Sequence, residues 1–320
     1  MTDSTLTSVA DIAAAHGRLR ETLAGVLIGQ ATPVRLAFIT LLCSAHSLIE
    51  GVPGVGKTLL VRALAACLDV RFGRVQFTPD LLPSDVIGMP VLDPTRGELR
   101  FRPGPLFTDL LLADEINRAP AKTQAALLEA MQERAATVDG QRHALGPHFA
   151  VFATQNPVEQ EGTYPLPEAE LDRFLFKIAM AYPDEEEERG ILRLHHDDRH
   201  APSDLPRQLD GATLERAREL VRGVIVQEEI VGYAAALVRA TRADLSFALG
   251  ASPRAGVLLL RAAKANATLE GRDFVIPEDI QEMLLPVLRH RVQLDPAAEV
   301  EGVTPDQALH RTLQSVTVPR

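Results

Sequence analysis

The chain has 320 residues, enough for one large domain or two ordinary ones, and its 46% apolar and 24% charged content is that of a soluble globular protein. A net charge of −10 argues against a general nucleic-acid binder, which needs basic surface to release counterions, though a local basic channel stays compatible with it. No uninterrupted apolar run reaches membrane-spanning length and Met1–Leu6 lacks a basic-then-apolar signal pattern, so the expectation is a cytoplasmic protein without a membrane segment.

Residues 9–25 read as an amphipathic helix, and residues 33–45 as a second helical run. Leu48-Ile49-Glu50 is a short apolar strand. It leads into Gly51-Val52-Pro53-Gly54-Val55-Gly56-Lys57-Thr58, which fits the phosphate-loop pattern G-x-x-x-x-G-K-[ST] at every fixed position. Residues 59–68 behind it are helical in composition. Strand, glycine loop and helix together are the context the motif requires. The glycines let backbone N–H groups turn inward around phosphate oxygens, and the helix N-terminus adds a favourable field. Lys57 is expected to reach the β- and γ-phosphates and the Thr58 hydroxyl to bind Mg²⁺, with Pro53, Gly54, Val55, Gly56 and Leu59 completing the nucleotide-contacting stretch. The apolar Ile28-Gly29 just upstream suits either an adenine pocket or an ordinary helix–helix connection. Cys43 and Cys67 sit in apolar segments without metal-type spacing, which fits inert thiols in a reducing compartment.

A second strand is expected at 74–77. The Pro-, Gly- and Asp-rich segment 78–105 follows, with short strands at 89–92 and 98–101 around a turn: a β-hairpin set into the domain. Leu110-Leu111-Leu112-Ala113-Asp114-Glu115 is an apolar strand ending in two acids. In a phosphate-loop domain that Walker B pattern places Asp114 beside Thr58 and its Mg²⁺, and Glu115 where it can polarise a water in line with the γ-phosphate. Residues 119–134 read as a helix, and 136–138 and 141–145 as a second hairpin about Asp139-Gly140. His143 and His148 read as surface or packing residues. The strand 149–154 closes on Gln155-Asn156-Pro157. Asn156 then stands at the carboxyl end of a central strand, where open parallel sheets bind ligands; an Asn merely starting a turn before proline is the plainer alternative. Residues 166–174 begin with a proline suited to a first helical turn. Arg173 stands near the end, before the apolar strand 174–180, where it either has a role of its own or pairs with Glu170 one turn back.

The acidic run 184–188 reads as a solvated helix start, and 195–200, despite its histidines and aspartates, as a polar helix end and linker rather than a metal site. From Asp204 onward strands give out and helices are expected at 211–222, 227–242, 253–269 and 277–289. The fold class is thus α/β: residues 1–203 form a phosphate-loop core with N-terminal helices and residues 204–320 a small all-helical lid, its polar tail beyond Leu294 loosely held. Ser252-Pro253-Arg254 is a helix start with serine as N-cap, so Arg254 faces either a nucleotide held between the domains or solvent.

These residues resemble the AAA+ ATPases, and within them the MoxR family. GVPGVGKT, LLLADEINRAP, FATQNPVEQEGTYPLPEAELDRF and GASPRA are all similar to that family's motifs, over nearly the whole chain. The resemblance implies ATP and Mg²⁺ as ligands and ATP hydrolysis as the activity. It implies that 78–105 is the helix-2 insert and 136–145 the pre-sensor-1 hairpin. Asn156 then corresponds to sensor 1, Arg254 to sensor 2, and Ile28 and Gly29 to adenine-side contacts. Arg173 corresponds to the arginine finger reaching a neighbouring subunit, with Arg118 a second candidate for that role. It further implies a homo-oligomeric ring, usually a hexamer, acting as a chaperone-like factor on a client complex. A partner with a von Willebrand factor A (VWA) domain is also implied, in cofactor or metal insertion. Two rivals are a nucleic-acid motor, since the hairpins also resemble those of replicative helicases, and a scaffold that binds nucleotide with little turnover. The acidic balance disfavours the first, and the intact Glu115 and Arg173 the second.

Overall fold

The computed structural model describes residues 6–95, 97–157, 163–196 and 205–319. The expected junction at 203/204 and most of the histidine-rich linker, from residue 197 on, lie outside them. Among the described residues no cluster of His, Cys, Asp or Glu suits a metal ion, and no helix is long and apolar enough to cross a membrane.

Helix α1 (Val9–Ala24) opens with a capping box between Ser8 and Asp11 and buries Ile12, Leu19 and Leu23. Helix α2 (Ala31–Leu42) is apolar almost all round and is accordingly enclosed, with Arg35 an exception. The chain then runs through β1 (Ser47–Gly51), α3 (Lys57–Cys67), β2 (Phe72–Gln76) and α4 (Pro83–Ile87). The hairpin of β3 (Gly88–Asp93) and β4 (Glu98–Pro103) follows. Next come β5 (Leu110–Asp114), α5 (Ala121–Glu133), the hairpin of β6 (Ala135–Val138) and β7 (Gln141–Ala144), β8 (Ala150–Gln155), the single turn α6 (Glu168–Leu171) and β9 (Phe176–Met180). Both expected hairpins are present. The Asp139-Gly140 turn has positive φ at both residues, the conformation that a two-residue hairpin turn demands.

Five strands form one sheet in the order β2-β5-β8-β1-β9, every neighbouring pair parallel. The interior strand β5 is buried throughout, as an apolar run covered on both faces should be. Alternate residues serve opposite cores. Leu110 and Leu112 face the side packed by α2, α3 and the C-terminal helices, while Leu111 and Ala113 face the side packed by α5. The carboxyl ends of β1, β5 and β8 therefore open on one edge, where Gly51, Asp114 and Gln155 end their strands.

The C-terminal part comprises α7 (Glu185–His196), α8 (Gly211–Gly223), α9 (Glu228–Ala243), α10 (Pro253–Leu269), α11 (Pro277–Leu288), α12 (Pro296–Val300) and α13 (Pro305–Ser315). Two expectations fail here. The region is not wholly helical, because β10 (Phe247–Leu249) pairs antiparallel with β11 (Gln293–Leu294). The tail is not loose either. A Thr304–Gln307 capping box starts α13, and Ala308, Leu309 and Thr312 bury one stripe of it. Its apolar residues are few but spaced for one face, which outweighs the polar composition. Both cysteines are enclosed, and burial pushes the thiols up, to about 12 for Cys43 and about 11 for Cys67.

Candidate functional site

The loop between β1 and α3 turns on glycines that need left-handed backbone, Gly54 at φ +86° and Gly56 at φ +91°. Gly56 is the N-cap of α3, so the helix N-terminus opens directly onto the loop. Lys57 bends back over it: Nζ donates to Val52 O at 3.0 Å and also to Gly51 O.

Opposite the loop, three strands meet through their side chains. Asp114 is buried at the end of β5. Its Oδ1 accepts from Thr154 Oγ1 at 2.7 Å, and its Oδ2 accepts from Arg74 Nη2 at 2.6 Å and Nε at 3.1 Å. Glu115 follows in the left-handed region (φ 55°, ψ 49°), a conformation that costs a non-glycine residue about 1–3 kcal/mol and so turns its side chain off the strand direction. Its amide donates to Thr154 Oγ1 at 2.8 Å, so that hydroxyl serves as both donor and acceptor. The Glu115 carboxylate is held through Oε2 by Gln76 Nε2 at 2.6 Å and Arg118 Nη1 at 3.0 Å.

A cleft of about 380 Å³ gathers these elements. Pro53, Gly54, Gly56, Lys57, Thr58 and Leu59 line one wall, and Asp114, Glu115, Thr154, Gln155 and the buried Asn156 the other. Among the residues expected at the site, Val55, Ile28, Gly29, Arg173 and Arg254 are not part of that lining. The Ile28-Gly29 segment packs against α7: a Cβ at Gly29 would run into the Glu187 carboxylate, and one at Gly190 would lie 3.1 Å from Ile28 Cδ1. Arg173 follows α6, half-buried, and donates Nη1 to Leu128 O of α5 at 2.7 Å. Arg254 opens α10 with Nε 3.7 Å from Asp172 Oδ2.

The residues present fit a magnesium–nucleotide ligand. Mg²⁺ is ordinarily held by one or two protein oxygens plus phosphates and waters rather than by a protein cage. Thr58 and Asp114 share the cleft as just such a small oxygen set, with Lys57 and the α3 N-terminus supplying positive potential beside them. Three residues of the site escaped the reading of the sequence: Arg74, Gln76 and Thr154. Gln76 pairs in register with Asp114 across β2 and β5, and Arg74 lies two residues before it on the same face. Their polarity at the end of a strand was the available signal.

The chain is similar to known proteins over most of its length. The family described as "ATPase family associated with various cellular activities (AAA)" matches residues 46–176, and "AAA lid domain" matches residues 239–312. A Bacillus subtilis protein named YeaC is 45% identical over 303 residues, covering 95% of this chain and 94% of that one. "Chaperone MoxR1" of Mycobacterium tuberculosis is 43% identical, covering 92% and 80%. A crystal structure from Cytophaga hutchinsonii, described as a candidate ATPase, superposes with a TM-score of 0.90 at 39% identity, covering 98% and 97%. With the phosphate loop, paired acids and sheet order on the same chain, this similarity makes the protein a member of the MoxR family of AAA+ ATPases, an enzyme that hydrolyses ATP.

Proposed function

We propose that the protein is a chaperone-like, ring-forming motor that hydrolyses ATP in the cleft between the phosphate loop and the ends of β5 and β8. The observation that carries this reading is the meeting of Lys57, Thr58, Asp114, Glu115 and Asn156 in that one cleft. ATP is the substrate. Mg²⁺, held by Thr58 with Asp114 beside it, would neutralise charge on the β- and γ-phosphates. Lys57 leaves the Gly51 and Val52 carbonyls to pair with phosphate oxygens, and the loop from Pro53 to Leu59 donates backbone N–H groups to them. Glu115 accepts the proton of the attacking water and Asn156 orients that water. Arg254 adds positive charge from the lid, and Ile28 and Gly29 bound the adenine side. Arg173 of one subunit reaches the neighbour's nucleotide. Arg118, which pairs with Glu115 within its own subunit, is the second candidate for that role.

On this reading residues 1–203 are the nucleotide-binding core and 204–320 the lid, and the subunits form a hexameric ring in the cytoplasm. The ring remodels a client complex, with a VWA-domain partner, in metal or cofactor insertion. The chaperone name of the Mycobacterium tuberculosis relative supports the chaperone part of it. The test is steady-state hydrolysis of Glu115→Gln beside wild type, with mass followed by light scattering with and without ATP. Turnover is expected to fall by about 10²–10⁴, as for loss of a general base, while ATP stays bound and assembly persists. Wild-type turnover in Glu115→Gln would sink the assignment.

A further inference from the structure

The lid grips the chain on both sides of Arg173. The grip comes from His290 and Arg291, just beyond α11. Only 1% of the Arg291 side chain is exposed, and its guanidinium is spent almost wholly on the segment around Arg173. Nε donates to Asp172 Oδ1 at 2.7 Å, and Nη2 donates to Asp172 O at 3.0 Å and to Phe174 O. Nη1 donates to Leu175 O at 3.2 Å and also to Val287 O, which roots the clamp in α11. His290 Nε2 lies 3.0 Å from Phe174 O. The other carboxylate oxygen of Asp172 faces Arg254, 3.7 Å away in the first turn of α10. Arg173 itself leans the other way, on Leu128 O of the core.

A guanidinium this deeply enclosed is costly unless every donor is used, and a packed apolar side chain would fill the space at less cost. What the cation adds is direction, since a rigid planar fork fixes several acceptors at once. Burial lowers Arg291 to about 10, which leaves it charged at neutral pH. The clamp joins two elements with separate duties, the lid that carries Arg254 and the core segment that carries Arg173.

We propose that Arg291, acting with Asp172, is a positioning residue that ties Arg173 to the lid, so that lid position in one subunit governs whether Arg173 reaches the neighbour's nucleotide. The inference rests on the reading of Arg173 as the arginine that acts between subunits. Asp172 is the shared member: when Arg254 turns toward a phosphate in its own subunit, Asp172 is left to Arg291 alone. Occupancy of one site thereby has a mechanical route to the arginine serving the next.

Mixed assemblies test it. Lys57→Ala subunits have a disabled ATP site but keep Asp172, Arg173 and Arg291 intact. In one-to-one mixtures they place an intact Arg173 beside the competent ATP site of an Arg291→Lys subunit. Arg291→Lys alone is expected to lose ~10-fold or more in turnover, a fraction of the ~10³–10⁵ that an arginine supplied in trans is worth, with affinity for a fluorescent ATP analogue within about twofold of wild type. The mixture should hydrolyse well above the sum of its parts. Asp172→Asn, which keeps the shape of the side chain, should behave the same way and guards against a folding defect in the first variant. Arg173→Ala, mixed identically, is the control. Rescue of Arg173→Ala but of neither clamp variant overturns the clamp alone, as does wild-type turnover in both clamp variants. Failure to rescue Arg173→Ala overturns the intersubunit role of Arg173, and the clamp falls with it.

Discussion

Thr154 shows how much of the site depends on one hydroxyl. It gives its hydrogen to Asp114 and takes one from the Glu115 amide, so both acids at the end of β5 are aimed by a residue of β8. Thr154→Val keeps the shape and the β-branch but leaves the Glu115 N–H and Asp114 Oδ1 without their partner. A stability loss of about 1–3 kcal/mol is expected in urea denaturation, with kcat falling more than ATP affinity, because the variant disturbs Glu115 rather than the phosphate loop. Unchanged kcat would show that Glu115 is aimed by something else. At this scale the phosphate loop and the two acids are legible in the sequence because each is a contiguous pattern. Thr154, Arg74 and Gln76 are not, since their roles depend on the register of strands about 40 residues apart.

Among the elements, the two hairpins are less separate than their positions in the chain suggest. Phe101 of β4 stacks on His143 of β7 with centroids 4.0 Å apart and planes 23° apart, and Phe107 meets both rings edge-on. The contact joins an element before β5 to one after α5, so a displacement of either hairpin is felt by the other. Phe101→Ala removes a pair worth about 0.5–1.5 kcal/mol, and amide exchange is expected to rise roughly two- to tenfold in β6–β7 as well as in β3–β4. A rise confined to β3–β4 would show the hairpins to be independent. Alternation and turn residues mark both hairpins in the sequence, but nothing local says that His143 is the side chain joining them. The helix expected over 166–174 shrinks to the single turn of α6, and the segment that bears Arg173 is shaped instead by hydrogen bonds from Arg291, more than 100 residues away.

For the molecule as a whole, acid is the expected weakness. His46 is enclosed between α5 and β8. Its Nδ1 accepts from the Val151 amide at 2.9 Å, which leaves Nε2 to donate to Met131 O at 3.2 Å, an arrangement only the neutral ring can make. Burial, with the Arg134 charge nearby, pushes it down to about 3; burial likewise lowers His16 to about 4 and holds His290 well below its ordinary value. The unfolded chain binds these protons once pH drops below 6.5 and the native chain does not, so stability is full above 6.5 and declines toward pH 4. His46 alone contributes about 2 kcal/mol to that loss at pH 5, and a urea midpoint unchanged between pH 7.5 and 5 would contradict it. The helical character of the C-terminal part is legible from the helical spacing of its apolar residues. The β10–β11 pair and α13 are not, because a three-residue strand and a sparse apolar stripe fall below what periodicity resolves. One property of the interior has a practical side. The attacking form of a cysteine is the thiolate, and Cys43 and Cys67 are both enclosed and both pushed far above neutrality. The folded chain is therefore silent toward maleimides and similar reagents, and a cysteine introduced at the tip of the β3–β4 hairpin becomes a single chemical handle. A fluorophore there reads whether the hairpin moves during turnover on an otherwise native chain.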